Sequence, residues 1–320
     1  MRLKRGNKVT AGVFTVVLAA IIILAGVTGC DGAPSSDDES TSSSIEVTDQ
    51  LGRVVRLEEI PQRIISLAPG NTEILFALGL ADRLVGVTDH CNYPPEAQDK
   101  PSIGGFSTPN MEEVLALSPD LVLAADIHKD EIIPHLEERG INVLAITPLT
   151  VDEVLEAIAL IGEVTGVEEE ASRLLADMQS RIDQITEQTN SLSEEERPGV
   201  LYFVWHDPPM AAGAATFQDD LIQKAGGINL AGDLTDYATI SLEMVLQADP
   251  AIMMAGLSHG SGEDLTLQFI ETEPRLRETD ARQNDRVYEI DGDIASRAGP
   301  RLVDALEHFA RCIHPELFND

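Results

Sequence analysis

Val167-Glu168-Glu169-Glu170-Ala171-Ser172-Arg173-Leu174-Leu175-Ala176-Asp177-Met178-Gln179-Ser180-Arg181-Ile182-Asp183-Gln184-Ile185-Thr186-Glu187-Gln188-Thr189 reads as one long amphipathic helix. Ala171, Leu174, Leu175, Met178, Ile182 and Ile185 recur at the i, i+3, i+4, i+7 spacing of a single helical face. Acidic and basic residues fill the other faces. Gly166 precedes the run, and Arg197-Pro198-Gly199 stops whatever follows it. At ~1.5 Å per residue the run makes a rod of about 33 Å, the width of a small domain.

The chain echoes itself on either side of this rod. Met111-Glu112-Glu113-Val114-Leu115-Ala116-Leu117-Ser118-Pro119-Asp120-Leu121-Val122-Leu123-Ala124 is matched without a gap by Leu242-Glu243-Met244-Val245-Leu246-Gln247-Ala248-Asp249-Pro250-Ala251-Ile252-Met253-Met254-Ala255. Glu112 pairs with Glu243 and Pro119 with Pro250. Each copy reads as a short helix, a proline stop and an apolar strand. The expectation is two similar lobes joined by one helix. Strands alternate with helices through residues 63–165, which predicts an α/β fold with a parallel-type sheet flanked by helices in each lobe. The boundaries follow: N-terminal lobe 45–166, bridging helix 167–190, C-terminal lobe 197–320. Ligands of such sheets sit at the carboxyl ends of the strands, which brings the loops at His90, Phe106 and Asp126 to the site.

The chain has 320 residues, 43% of them hydrophobic, enough for two real cores. Its 55 acidic and 22 basic residues give a net charge of −33, which argues against a nucleic-acid partner. Residues 1–29 carry Arg2, Lys4, Arg5 and Lys8, then an apolar run from Val13 to Val27. This is the pattern of an export signal. Its last residues, Val27-Thr28-Gly29-Cys30, resemble a bacterial lipobox, in which Cys30 is the lipidated residue. Valine stands where leucine is commoner. A plain transmembrane anchor is the alternative, and either way the body lies outside the cytoplasm, tethered to the membrane. Residues 30–44, rich in Ser, Asp and Thr, read as a disordered tether. Cys91 and Cys312 are far apart in sequence and are expected to be free, buried thiols.

Several stretches carry a family likeness: Ser66-Leu67-Ala68-Pro69-Gly70-Asn71-Thr72-Glu73, Tyr93-Pro94-Pro95-Glu96-Ala97, Leu117-Ser118-Pro119-Asp120-Leu121-Val122, Asp207-Pro208-Pro209, Gly226-Gly227 and Arg297-Ala298-Gly299-Pro300-Arg301. In these the body resembles the substrate-binding proteins of ATP-driven importers for cobalamin, haem and ferric siderophores, above all the cobalamin branch. The resemblance implies two rigid lobes, a monomer, a corrinoid held in the cleft between them, a permease as partner, and no catalysis or resident cofactor. It implies that Glu112 and Glu243 dock on permease arginines; ordinary helix N-terminal acids are the plainer reading of both. It places the cleft aromatics at Phe106 and Tyr237, and a polar pair at Asp293 and Arg297. His90 stands where the branch has a tyrosine, and an imidazole there is a candidate ligand for cobalt or iron. Trp205, the one tryptophan, lies at a strand's carboxyl end and is a further cleft candidate. Haem or a ferric siderophore is the alternative cargo.

Two other classes compete. Gly256-Leu257-Ser258-His259-Gly260 fits a serine-hydrolase elbow, with Asp293 and His308 downstream, but Gly260-Ser261-Gly262 intervenes where a helix should begin. His90, His206 and His259 would serve a bare metal ion only if folding gathered them.

Overall fold

In the computed structural model, residues 44–256 and 265–318 are described. The signal, Cys30, most of the tether, Ser258 and His259 lie outside the described residues. β1 (Ile45–Thr48) and β2 (Val54–Leu57) form an antiparallel hairpin. Then β3 (Ile64–Ser66), α1 (Pro69–Ala77), β4 (Leu84–Val87), α2 (Met111–Ala116), β5 (Leu121–Ala124), α3 (Ile132–Glu137) and β6 (Asn142–Ala145) build a four-stranded parallel sheet in the order β4-β3-β5-β6. Neither Asn71 nor Thr72 caps α1. The helix starts at Pro69, whose missing N–H costs nothing in a first turn. The Thr72 hydroxyl turns instead to Ser66 Oγ at 2.8 Å.

α4 (Val151–Thr165) and α5 (Glu168–Thr189) follow, joined at Gly166 with φ +67°. Thr150 caps α4 through the Glu153 N–H at 3.2 Å, while the Glu153 carboxylate reaches Leu149 N at 2.6 Å rather than closing a full capping box. α5 buries Ala171, Met178, Ile182 and Ile185 of the stripe read from the sequence, with Leu174 and Leu175 half-buried against the same cluster.

The second sheet holds β7 (Gly199–His206), β8 (Pro209–Ala212), β9 (Ile228–Asn229), β10 (Tyr237–Thr239), β11 (Ile252–Gly256) and β12 (Val287–Ile290), in the order β10-β8-β7-β11-β12 with β9 also on β7. The β7-β11-β12 part is parallel. The β10-β8-β7 edge is antiparallel, a departure from the parallel-type sheet expected of this lobe. Pro209 opens β8, a strand-start position that demands no N–H. Helices α6 (Phe217–Lys224), α7 (Leu242–Ala248), α8 (Leu265–Thr272), α9 (Asp280–Gln283), α10 (Gly292–Ser296), α11 (Leu302–Ile313) and α12 (Pro315–Phe318) complete the described residues.

The echo holds in three dimensions. α2 and α7 are each followed by a residue with positive φ, Ser118 at 46° and Asp249 at 45°. Each is capped by the residue one step before the match, Asn110 through Glu112 N and Ser241 through Met244 N. Alternate residues of the two echoed strands, Leu121 and Leu123, Ile252 and Met254, enter one apolar cluster that continues through α4, α5 and α11. Val122 and Ala124 face a second cluster, and Met253 and Ala255 a third. Arg181 pins α5 to α11 through Glu307 at 2.7 Å and Asp304 at 2.5 Å. Cys91 and Cys312 are free and buried; burial pushes the Cys312 thiol up to about 11.

Candidate functional site

The carboxyl ends of the four parallel strands converge on a cavity of about 720 Å³, within the range of small-molecule sites. Its walls come from the turn after β3 (Ala68–Asn71), His90 and Asn92 after β4, Phe106, Ile127 after β5, and Leu149 after β6. Ser296, Arg297 and Ala298 close it from the second lobe. Its lining shares Asp126, Thr147 and Leu149 with a neighbouring groove along α4 that carries Glu153, Glu156 and Glu163.

Of the candidate residues, the fold brings His90, Phe106 and Arg297 to the cavity wall. Asp293 stands one step behind, its Oδ2 2.7 Å from Arg297 Nη2. That pairing exists because residues 292–296 form α10, which puts positions i and i+4 on one face. Trp205 and Tyr237 are not in this wall. Trp205 is 43% exposed near the end of β7, its Nε1 donating to the Asp207 carbonyl at 2.8 Å. Tyr237 is 42% exposed on edge strand β10, its hydroxyl donating to Gln218 at 3.2 Å. His206 stacks obliquely against Trp205 at 4.8 Å. Among the described residues no group of three His, Cys, Asp or Glu is gathered as a metal shell.

Sequence reading missed Ile127 and Leu149, apolar side chains left 55% and 50% exposed at the cavity. It also missed His128. This ring is wholly buried, with Nδ1 2.9 Å from Ala125 N and Nε2 2.7 Å from the Phe106 carbonyl. A backbone N–H can only donate, so Nδ1 is bare and Nε2 carries the proton given to Phe106. The Phe106 ring meets His128 edge-on at 5.5 Å. His128 therefore ties the Phe106 loop to the end of β5. A His on a loop after an apolar strand was the available signal.

Burial pushes His128 below the usual imidazole range, against the raising effect of its two backbone hydrogen bonds. The unfolded chain takes up a proton near pH 6.5, whereas the folded chain does so only at lower pH. The His128 contribution to stability is thus complete above that pH and is lost as pH falls below it. The Tm of wild type should fall more steeply between pH 7.5 and 5 than that of His128→Gln. A residual slope is expected from His308, which burial also depresses. Equal slopes in both proteins would contradict the assignment.

The Periplasmic binding protein family (Peripla_BP_2) matches residues 64–294. The chain belongs to that family. An ABC transporter substrate-binding lipoprotein of Bacillus subtilis strain 168, YvrC, is 31% identical over 98% of this chain and 100% of its own. A cobalamin-binding protein of Halobacterium salinarum is 28% identical, covering 87% of this chain and 76% of its own. Among solved structures, the vitamin B12-binding protein BtuF of Vibrio cholerae superposes with TM-score 0.69 at 25% identity, over 82% of this chain and 99% of that one. The haem-binding protein RhuT from Roseiflexus sp. RS-1 superposes with TM-score 0.71 at 27% identity, over 80% and 99%. This protein is accordingly a substrate-binding component of an ABC importer, not an enzyme; what it holds is cargo rather than a resident cofactor.

Proposed function

We propose that this chain captures a corrinoid, such as cobalamin, in the cleft between its lobes and delivers it to a membrane permease. The observation that carries this reading is the charge balance of the cavity. Arg297, the arginine of its wall, is neutralised by Asp293 at 2.7 Å and Glu73 at 3.4 Å. Asp89, also in the wall, accepts a hydrogen bond from the Ser102 hydroxyl, and the adjoining groove carries Glu153, Glu156 and Glu163. Such a site opposes the carboxylates of haem or of an anionic siderophore. It suits a large ligand bearing neutral amides, whose groups Asp293, Arg297 and Asn92 are able to hydrogen-bond. The names of the Halobacterium and Vibrio relatives support the same cargo.

Phe106 and Tyr237, 131 residues apart like the two glutamates, would pack on the macrocycle from the two lobes, with Trp205 as a further aromatic of the second lobe. Lobes at 45–166 and 197–320, a bridge at 167–190, a signal at 1–29 and a tether at 30–44 complete the reading. So do a monomeric state and lipid anchoring through Cys30 at the outer face of the cell membrane. One observation favours haem as the second reading: His90 is an imidazole in the cavity wall, suited to axial ligation.

Equilibrium dialysis of the full-length protein in detergent against cyanocobalamin tests the cargo. Phe106→Ala and Tyr237→Ala should each weaken binding by about thirtyfold, the ~2 kcal/mol of a buried aromatic anchor. Wild-type affinity in both variants would refute the aromatic walls, and no binding to wild type would refute the corrinoid.

A further inference from the structure

Glu73 lies on α1 in the N-terminal lobe and is only 3% exposed. A buried carboxylate must be paired to remain charged. Its partners come from across the cleft. Arg301 grips it in a two-pronged contact, Nε to Oε2 at 3.0 Å and Nη2 to Oε1 at 2.7 Å. Arg297 Nη1 stands 3.4 Å from Oε1 and donates to Asn92 Oδ1 at 2.6 Å. The Arg301 guanidinium also lies 3.8 Å over the Tyr93 ring. Glu73, Asn92 and Tyr93 thus clasp Asp293, Arg297 and Arg301 across the floor of the cleft.

The backbone is fitted to this contact. A Cβ on Gly70 would come within 2.6 Å of the Ala298 carbonyl oxygen, and one on Gly299 within 3.1 Å of Glu73 Oε2. The absence of side chains at both positions lets the two lobes meet closely enough for a glutamate to span them. Two carboxylates and two guanidiniums then balance. Arg297 is the member that also faces the cavity, so Glu73 decides both where its guanidinium points and how much positive charge the cavity presents.

We propose that Glu73 is a positioning residue of the ligand site, holding the lobes together at the cleft floor and setting the charge selectivity of the cavity through Arg297 and Arg301. This rests on the reading of the cleft as the cargo site. Glu73 itself is not among the residues that line the cavity. Glu73→Gln removes the negative charge and leaves two arginines facing one aspartate. Arg301→Gln removes a positive charge and leaves the carboxylates in excess. The two variants should therefore move ligand preference in opposite directions, whereas damage to folding would move both alike.

The experiment uses full-length protein, with dissociation constants for cyanocobalamin and haemin measured side by side and hydrogen exchange followed in the ligand-free state. Glu73→Gln should shift the ratio about tenfold toward haemin, and Arg301→Gln should shift it away. In Glu73→Gln, exchange should rise together in residues 69–77 and 292–301, one segment from each lobe. Glu73→Asp, which keeps the charge, should retain the wild-type ratio. Ratios that move the same way in both charge variants, or exchange that rises in one lobe only, would overturn the proposal. If wild type binds neither ligand, the cargo reading fails, and the paired exchange still decides whether Glu73 joins the lobes.

Discussion

Replacing both Glu112 and Glu243 with alanine is expected to leave ligand affinity unchanged and to raise by about a hundredfold the receptor concentration needed to stimulate the importer's ATP hydrolysis. Each glutamate is the second residue of a short helix and is exposed. The helices match in the position of a side-chain cap, in the positive-φ residue that ends them and in the buried strand that follows. The Glu243 carboxyl is held below the usual carboxylate range by its own backbone N–H, the Ser241 hydroxyl and the charge of Arg275. If the permease docks on these two acids, one carboxylate per lobe would supply two anchor points and a fixed orientation. A charge-assisted hydrogen bond is worth roughly 1.5–3 kcal/mol, so losing two costs at least about 3 kcal/mol, the stated hundredfold. Each single variant should fall between, with a weaker dependence on salt than wild type. ATPase stimulation by the double variant at wild-type concentrations would reduce the two acids to helix N-terminal residues stabilising their own dipoles.

Asp49→Ala should cost about 3–5 kcal/mol of stability, out of the ~5–15 kcal/mol typical of a folded domain. Asp49 is 4% exposed at the end of β1. Its carboxylate accepts from the N–H groups of Leu51 at 3.1 Å, Arg53 at 2.9 Å and Ala145 at 3.1 Å, and from the Arg53 guanidinium. Arg53 continues to the Val143 carbonyl at 3.1 Å and to Glu137 at 2.6 Å. One carboxylate thereby closes the hairpin turn and fastens it to β6, the edge of the parallel sheet. Alanine would orphan several buried donors at once, whereas Asp49→Asn keeps an acceptor and should lose less. Urea unfolding followed by circular dichroism measures the difference. A loss below about 1 kcal/mol from Asp49→Ala would show that the hairpin is not fastened there.

The parts of this protein legible in its sequence are those with long or repeated apolar patterns. The stripe of α5 runs along a helix of about six turns, and the Glu112 and Glu243 modules announce each other by repetition. What escaped is short or depends on distant partners. β8, with Pro209 and three small or flexible residues, has no alternation to read and becomes a strand only because β7 and β10 pair with it. α10 has five residues, too few to show a helical period. Phe106 and Arg297 are placed by loops that resemblance identified, but Glu73 reads as an ordinary helical acid until the fold brings Arg301 to it from 228 positions away. His128 and Leu149 escaped for the same reason. Their importance lies in what folding sets beside them.

The most direct test of the central claim is a visible-absorption titration of the full-length protein in detergent with cyanocobalamin, aquocobalamin and haemin. The charge-balanced cleft predicts saturable one-to-one binding of cyanocobalamin, with haemin bound at least tenfold more weakly at low salt. A band shift with aquocobalamin that His90→Ala abolishes would make His90 an axial ligand. Saturable binding of haemin without binding of either cobalamin would contradict the account and assign the cleft to haem.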